Sequence, residues 1–261
     1  MHIKTNNFTS VQLHKEVRAD FYLPTTAFAE DHHLLILNDG QNMQEVGLSG
    51  ILERLCEMGK IKPLVVVAVH ADADRKNDYG VASTPNYLGQ GGNGEAYTNF
   101  LMHELIPQIP KHLNGIGVGK QSIAGFSLGG LSALDVFLNH SSQFASVGVF
   151  SGSLWWRSIS DKDPGYDDAK HKIILEEIRK SMYLPQKKLF FQCGNMDETA
   201  DRNGNGIIDS IDDTMDAIEE LEKLGYKKDQ DIRYLEIADG KHDMATWARA
   251  LPDYLQWICG K

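Results

Sequence analysis

Gln121-Ser-Ile-Ala-Gly-Phe-Ser127-Leu-Gly-Gly-Leu-Ser-Ala-Leu-Asp-Val-Phe137 reads as two elements meeting at a corner. The run Ser122 to Phe126 does not alternate between polar and apolar residues, so it suits a strand covered on both faces. From Leu128 to Leu138 the apolar residues recur at helical spacing. Between them stands Gly125-Phe-Ser127-Leu-Gly129, a serine bracketed by glycines where a side chain would collide with neighbouring backbone. G-x-S-x-G at a strand-to-helix junction is the nucleophile-elbow signature. It sets Ser127 at the carboxyl end of its strand. The N-terminal N–H groups of the following helix, Leu128 first, then point at the space above the hydroxyl.

Working outward, the same kind of apolar run recurs at Leu34–Leu37, Leu64–Val69, Ala145–Phe150, Leu189–Gln192 and Ile232–Ile237. Segments with helical spacing lie between them: Val46–Met58, Tyr97–Ile109, Ile173–Met182, Thr214–Leu224 and Ala245–Ile258. Strands alternating with helices predict βαβ units and a mostly parallel sheet, an α/β fold. The first thirty residues alternate instead, which predicts antiparallel strands at one edge. No repeat, low-complexity tract or linker interrupts the chain, so residues 1–261 are expected to form a single domain.

The composition narrows the classes of function. Lys and Arg number 26 against 36 Asp and Glu, a net charge of -10. Such a surface repels phosphate backbones and anionic lipid, so neither nucleic acid nor membrane is an expected partner. Cys56, Cys193 and Cys259 are too few and too scattered for a disulfide framework. The opening residues contain no apolar leader, and no apolar run is long enough to span a bilayer. The expected location is cytoplasmic. Oligomeric state cannot be read from the sequence.

A serine hydroxyl becomes nucleophilic only when a histidine takes its proton and a carboxylate orients that histidine. Of the ten histidines, His242 follows the last apolar run in Ala238-Asp-Gly-Lys-His242-Asp243, at a strand's carboxyl end. The acid is expected in the preceding loop, Cys193-Gly-Asn-Met-Asp197-Glu198, with Asp197 the first choice and Glu198 the second. The order Ser, Asp, His is that of α/β-hydrolases. A second oxyanion donor is expected after an early strand, at Asn38-Asp39-Gly40-Gln41, through the Gln41 N–H, although Asp39-Gly40 equally suits a plain turn. Tyr79, Trp155 and Trp156 are candidates for a pocket wall, with core packing as the alternative. His70-Ala-Asp72-Ala-Asp74 lacks a second histidine cluster and is read as a rim loop rather than a transition-metal site.

These residues resemble the Putative esterase (esterase D-like) family, which includes enterochelin esterases, feruloyl and acetylxylan esterases, and the antigen 85 mycolyltransferases. The resemblance rests on Ala124-Gly-Phe-Ser-Leu-Gly-Gly-Leu-Ser-Ala-Leu134, Phe150-Ser-Gly-Ser-Leu-Trp-Trp156, Leu37-Asn-Asp-Gly-Gln41, Arg75 with Tyr79, Glu104-Leu-Ile-Pro107 and Gly240-Lys-His-Asp-Met-Ala-Thr-Trp247. It implies an α/β-hydrolase without a lid domain. It also implies Ser127 as nucleophile, His242 as base, Gln41 and Leu128 as oxyanion donors, and Arg75 among the substrate-contacting residues. The expected activity is hydrolysis of a small-molecule carboxylic ester through an acyl-enzyme, on carbohydrate-linked, aryl or siderophore esters. Acyl transfer by the same triad and a non-catalytic calcium-dependent binding module are the alternatives. No cofactor is expected for catalysis.

Beside the expected acid, Asp201-Arg-Asn203-Gly-Asn205-Gly206-Ile207-Ile-Asp209-Ser-Ile-Asp212 fits the spacing of an EF-hand-type calcium loop. Asp201, Asn203, Asn205 and Asp212 would supply side-chain oxygens, Ile207 a carbonyl, and Asp209 a water-mediated contact. A structural calcium would pin the loop that carries Asp197. Asp rather than Glu at the twelfth position and the lack of an entering helix depart from the pattern, and an Asn/Gly-rich turn capping the next helix is the competing reading.

Overall fold

The alternating N-terminus forms a hairpin. In the computed structural model, which describes residues 1–25 and 32–261, β1 (His2–Ser10) and β2 (Lys15–Leu23) pair antiparallel from His2 opposite Leu23 to Ser10 opposite Lys15. Residues 26–30 of the predicted antiparallel segment lie outside the described residues. Each continuous apolar run becomes a strand: β3 (His32–Asn38), β4 (Leu64–Val69), β5 (Val118–Phe126), β6 (Ser146–Phe150), β7 (Lys188–Met196) and β8 (Ile232–Lys241). Together they make one eight-stranded sheet in the order β1-β2-β4-β3-β5-β6-β7-β8. β2 is antiparallel to β4, and the pairs from β4 through β8 are parallel.

The helices are α1 (Leu48–Glu57), α2 (Gly94–Asn99), α3 (Leu128–Asn139), α4 (Ile173–Lys180), α5 (Asp209–Leu224) and α6 (Met244–Cys259), with short helical turns between some of them. Their placement explains why the strands lack alternation. Val65, Val67 and Val69 pack into a core with Leu131 and Leu134 of α3, Ile174 of α4 and Ile218 of α5. Leu64, Val66 and Ala68 pack on the other face with Leu52 of α1 and Leu251 of α6. Both faces of β4 are dry, so every position of that strand is apolar.

Two helical segments depart from the predicted spans. The Val46–Met58 stretch breaks at Gly47, whose φ of 71° ends one short helix and caps the next. The Tyr97–Ile109 stretch passes through a π-helix at Phe100–Leu105 just before Pro107. A proline has no N–H to donate and its ring crowds the carbonyl four residues back, so the ladder widens ahead of it.

β3 lies between β4 and β5, so the chain leaves it in one direction and returns on its other side. In open α/β sheets such a reversal opens a crevice beyond the strands' carboxyl ends. The segments after β3 and β5, 38–41 and 127–130, therefore meet there. Among the described residues, no helix is long and apolar enough to cross a membrane.

Candidate active site

Ser127 takes φ 54° and ψ −123°, a backbone that L-residues rarely adopt. The surrounding glycines make the turn possible. A Cβ on Gly125 would strike the Gly129 carbonyl, and one on Gly129 would lie 2.5 Å from Asp39 Oδ2. The turn is tied down by the Ser127 N–H donating to the Phe150 carbonyl at 2.8 Å, and by the Ser153 N–H donating to the Ser127 carbonyl at 3.1 Å. Ser127 Oγ thereby projects into the crevice, 2.9 Å from His242 Nε2 and 3.4 Å from Ser153 Oγ.

His242 leaves β8 immediately before α6. Its ring meets Trp247 edge-on, with centroids 5.1 Å apart. Burial lowers its pKa from 6.5, Arg75 lowers it further, and the Asp197 carboxylate opposes both. The imidazole is therefore neutral at pH 7, the state a general base requires.

Asp197 follows a bulge near the end of β7, where the pairing with β8 slips between Gly194 and Met196. A bulge re-aims the side chains beyond it. Gly194 is essential to that path, because a Cβ there would collide with the Gly240 backbone and reach within 2.7 Å of Asp197 Oδ1. Burial raises the Asp197 pKa above 3.8, while the Ser151 hydroxyl and the charge of His242 pull it down. Glu198 feels Asp209, Asp213 and the Ser210 N–H instead, at the start of α5. Of the two predicted acids, Asp197 is the one whose charge acts on His242, and neither of its carboxylate oxygens finds a hydrogen-bond partner among the described residues.

The segment after β3 locks onto the elbow. Asp39, also left-handed at φ 65°, is fully buried and receives a bidentate pair from Arg75 at 2.6 and 2.8 Å. Asn38 Nδ2 donates to the Gly129 carbonyl at 2.8 Å, and Tyr97 OH donates to Asn38 Oδ1 at 2.6 Å. Neither the Leu128 N–H nor the Gln41 N–H is committed to a backbone carbonyl among the described residues. His70, read from sequence as a rim residue, bonds Asp20 Oδ2 at 2.7 Å and backs the same loop: a Cβ on Gly40 would lie 2.7 Å from its ring.

The predicted pocket-wall residues divide. Trp155 is partly exposed, with the Arg157 guanidinium over its ring at 5.6 Å. Trp156 and Tyr79 are buried: Trp156 packs on Gly80 and Gly91, while Tyr79, whose hydroxyl accepts from the Asp39 N–H, lines a cavity with His70, Ala71 and Arg18. Aromatic type alone does not distinguish a wall from a core. Arg75 reaches the crevice, but its guanidinium is occupied by Asp39 and, at 3.3 Å, the Phe126 carbonyl. It therefore anchors the loop rather than presenting a free cation.

In the 201–212 loop, Asp201 accepts from the N–H groups of Gly204, Asn205 and Gly206, while Asn203 and Asn205 donate their amides to Asp212 Oδ2. Asp209 turns away to accept from the Arg202 N–H and pair with its guanidinium, so it is not poised as a ligand. Ile207 donates its N–H to Asn205 Oδ1. Among the described residues, no group of three or more His, Cys, Asp or Glu converges as a metal site. Arg202 also holds the loop, binding Asp168, Asp209 and buried Asp213, the last also paired with buried Lys172 at 2.6 Å.

Ser151 was not singled out from the sequence, although Phe150-Ser-Gly-Ser153 at a strand's carboxyl end was a signal for it. It is buried, at φ 44°, and accepts from Trp247 Nε1 at 2.9 Å.

Comparison with known proteins agrees with this geometry. The "Putative esterase" family model matches residues 10–258. An uncharacterised Bacillus subtilis protein is 24% identical over 94% of this chain and 92% of its own. An endo-1,4-beta-xylanase/feruloyl esterase of Xylanibacter ruminicola is 25% identical over 97% of this chain, which spans 31% of that longer protein. Among solved structures, a ferulic acid esterase aligns over 99% of this chain and 97% of its own, with TM-score 0.72 and 18% identity. The enterobactin esterase of Shigella flexneri, with enterobactin present, aligns over 98% of this chain and 58% of its own, with TM-score 0.74 and 20% identity. The structural likenesses establish the α/β-hydrolase fold, and the family match establishes the reaction class: the chain belongs to the Putative esterase family and is a carboxylic ester hydrolase.

Proposed function

We propose that the chain hydrolyses aryl-acyl esters through an acyl-enzyme on Ser127, with His242 as base and Asp197 as the acid that orients it. The observation that carries this reading is the 2.9 Å contact between Ser127 Oγ and His242 Nε2. His242 takes the hydroxyl proton as Oγ attacks the ester carbonyl. The Leu128 and Gln41 N–H groups stabilise the oxyanion at the positive end of α3. His242 then protonates the leaving alcohol, and water repeats the sequence on the acyl-enzyme. The aryl-acyl preference draws on the ferulate and enterobactin named for the structural neighbours and on partly exposed Trp155, which follows two residues after Ser153, a contact of Ser127. Transfer of the acyl group to a second alcohol would use the same residues.

The test is turnover of a panel of acetyl, feruloyl and catechol esters, together with active-site labelling by a fluorophosphonate. Feruloyl or catechol esters should be preferred over acetyl, and Ser127→Ala should lose both turnover and labelling. Labelling that persists in Ser127→Ala would overturn the assignment.

A structural calcium on Asp201, Asn203, Asn205, Asp212 and the Ile207 carbonyl is a smaller proposal. It is supported by ligand spacing and by the approach of Asn203 and Asn205 to Asp212. Calcium should raise the melting temperature relative to chelator, and an unchanged value removes the proposal.

A further inference from the structure

We infer that the side chain of Gln41 is a clamp that aims its own backbone N–H at the oxyanion. This rests on the esterase mechanism proposed above and adds a positioning residue to it. Asp39-Gly40-Gln41-Asn42 form a tight turn, closed by the Asn42 N–H donating to the Asp39 carbonyl at 3.0 Å. The central peptide of such a turn has two orientations that keep the same closing bond. Here that peptide joins Gly40 to Gln41, and glycine sets little bar to its rotation. The Gln41 N–H is not spent on a backbone carbonyl among the described residues, so the backbone alone does not hold it. The side chain does. Gln41 Oε1 accepts from the Ala71 N–H at 2.9 Å, and Gln41 Nε2 donates to Asp39 Oδ1 at 3.1 Å. The amide cannot be reversed, because that would set donor against donor at Ala71 and acceptor against acceptor at Asp39.

Both anchor points of the clamp are fixed. Asp39 is fully buried, and its Oδ1 also takes Arg75 Nε at 2.6 Å. Arg75 Nη2 reaches the Phe126 carbonyl at 3.3 Å, so the clamp is tied through Asp39 to the residue before the nucleophile. Ala71 follows His70, whose N–H donates to the Arg18 carbonyl of β2 at 2.9 Å and whose ring bonds Asp20 at 2.7 Å. Gln41 thus bridges the loops that leave neighbouring strands β3 and β4. The bridge needs an acceptor and a donor on one side chain of this length: Glu has no donor when ionised, and Asn is one carbon shorter. Gln41 itself is exposed, so its contacts can be removed without opening the core.

The experiment compares wild type with Gln41→Met, which keeps the length and removes both polar ends, and Gln41→Glu, which keeps the shape but turns a carboxylate on Asp39. Three quantities are measured: kcat and KM on a feruloyl ester, the inhibition constant of an aryl trifluoromethyl ketone, and hydrogen exchange at the Ala71 amide. Ser127 Oγ adds to the ketone carbonyl while its proton passes to His242, which leaves an oxyanion and so reports on the donors directly. In Gln41→Met, kcat should fall about tenfold with KM unchanged, less than the roughly 100-fold or more for deleting a donor outright. The inhibition constant should rise by the same factor, and Ala71 should exchange about tenfold faster. Gln41→Glu should lose at least as much activity, whereas a space-filling role would be restored by it. Unchanged kcat and ketone affinity in Gln41→Met, or wild-type activity in Gln41→Glu, overturns the inference. A rise in KM alone also overturns it, because the side chain would then be binding substrate. Wild type that neither turns over ester nor takes up the ketone removes the esterase reading; the clamp is then upheld by faster exchange at Ala71 in Gln41→Met and overturned by unchanged exchange.

Discussion

Asp135 on α3 allows a prediction whose sign changes with pH. It is fully buried, and burial, with Glu177 adding to it, pushes its carboxyl from 3.8 to about 7. Its oxygens accept from the Ala82 N–H at 3.0 Å and from Asn139 Nδ2 at 3.1 Å. Below pH 3.8 the folded and unfolded chains both hold the proton and the site costs nothing. Between there and pH 7 the folded chain keeps a proton that the unfolded chain has released, so stability falls as pH rises. Above pH 7 the cost levels off at about 4 kcal/mol, from a gap of roughly three pH units at about 1.4 kcal/mol each. Asparagine never ionises, but its amide nitrogen cannot accept, so one of the two hydrogen bonds is lost at about 1 kcal/mol. Asp135→Asn should therefore be about 1 kcal/mol less stable than wild type at pH 4 and about 3 kcal/mol more stable at pH 8. Urea denaturation of both proteins at pH 4, 6 and 8 measures this, because titrating groups that do not act on Asp135 cancel in the difference. A variant less stable by the same amount at all three pH values would refute the reasoning.

Gly129→Ala forces a methyl to within 2.5 Å of Asp39, which Arg75 holds in place. The loop after β3 must shift, and kcat/KM should fall about 100-fold in an otherwise folded protein, since a displacement near 1 Å at a reactive site costs that much; an unchanged kcat/KM would show that the loop does not serve the reaction. Arg202→Met leaves Asp213 buried with Lys172 as its remaining cation. Thermal denaturation should show a loss of about 3 kcal/mol, the low end for breaking a buried ion pair from one side, whereas no loss would assign the pinning of the loop elsewhere. The acid limb of kcat/KM should have its midpoint below pH 6.5, because burial and Arg75 disfavour the charged imidazole that must be neutral to act. A midpoint above 7 would contradict that environment.

The parallel sheet was legible because a strand buried on both faces has no polar positions to hide it; Leu64–Val69 is both the run read from the sequence and the strand itself. The meeting of Ser127 and His242 was legible because each directly follows a strand and precedes a recognisable helix. Other features were not, and for distinct reasons. The spacing of Asp201, Asn203, Asn205 and Asp212 is shared by cation-binding loops and by turns, and in both the side-chain oxygens accept from nearby N–H groups as they do here, so spacing alone does not tell the two apart. Trp155 and Trp156 are adjacent, yet one is partly exposed and the other buried, because the chain reverses between them against the 80–91 loop. The π-helix depends on one extra residue per turn, which apolar spacing does not register. The contacts of Ser151 with Gln192 and Trp247 come only from what the ends of β6, β7 and α6 bring together.

The backbone conformations at the crevice follow one rule. Asp39, Ser127 and Ser151 all take positive φ, and they follow β3, β5 and β6, neighbouring strands in the sheet. Each such residue costs about 1 to 3 kcal/mol and persists only where surrounding structure fixes it. Here the fixing contacts are visible: the Arg75 pair for Asp39, the Phe150 carbonyl for the Ser127 N–H, and Gln192 with Trp247 for Ser151. Parallel strands end at one level, so turning each chain sharply at that level aims three side chains or N–H groups into a single crevice. The energy of holding those turns comes from the dry faces of the sheet behind them. The turns are fixed by the chain's own contacts, which is the condition under which the proposed oxyanion donors would act without reorganising.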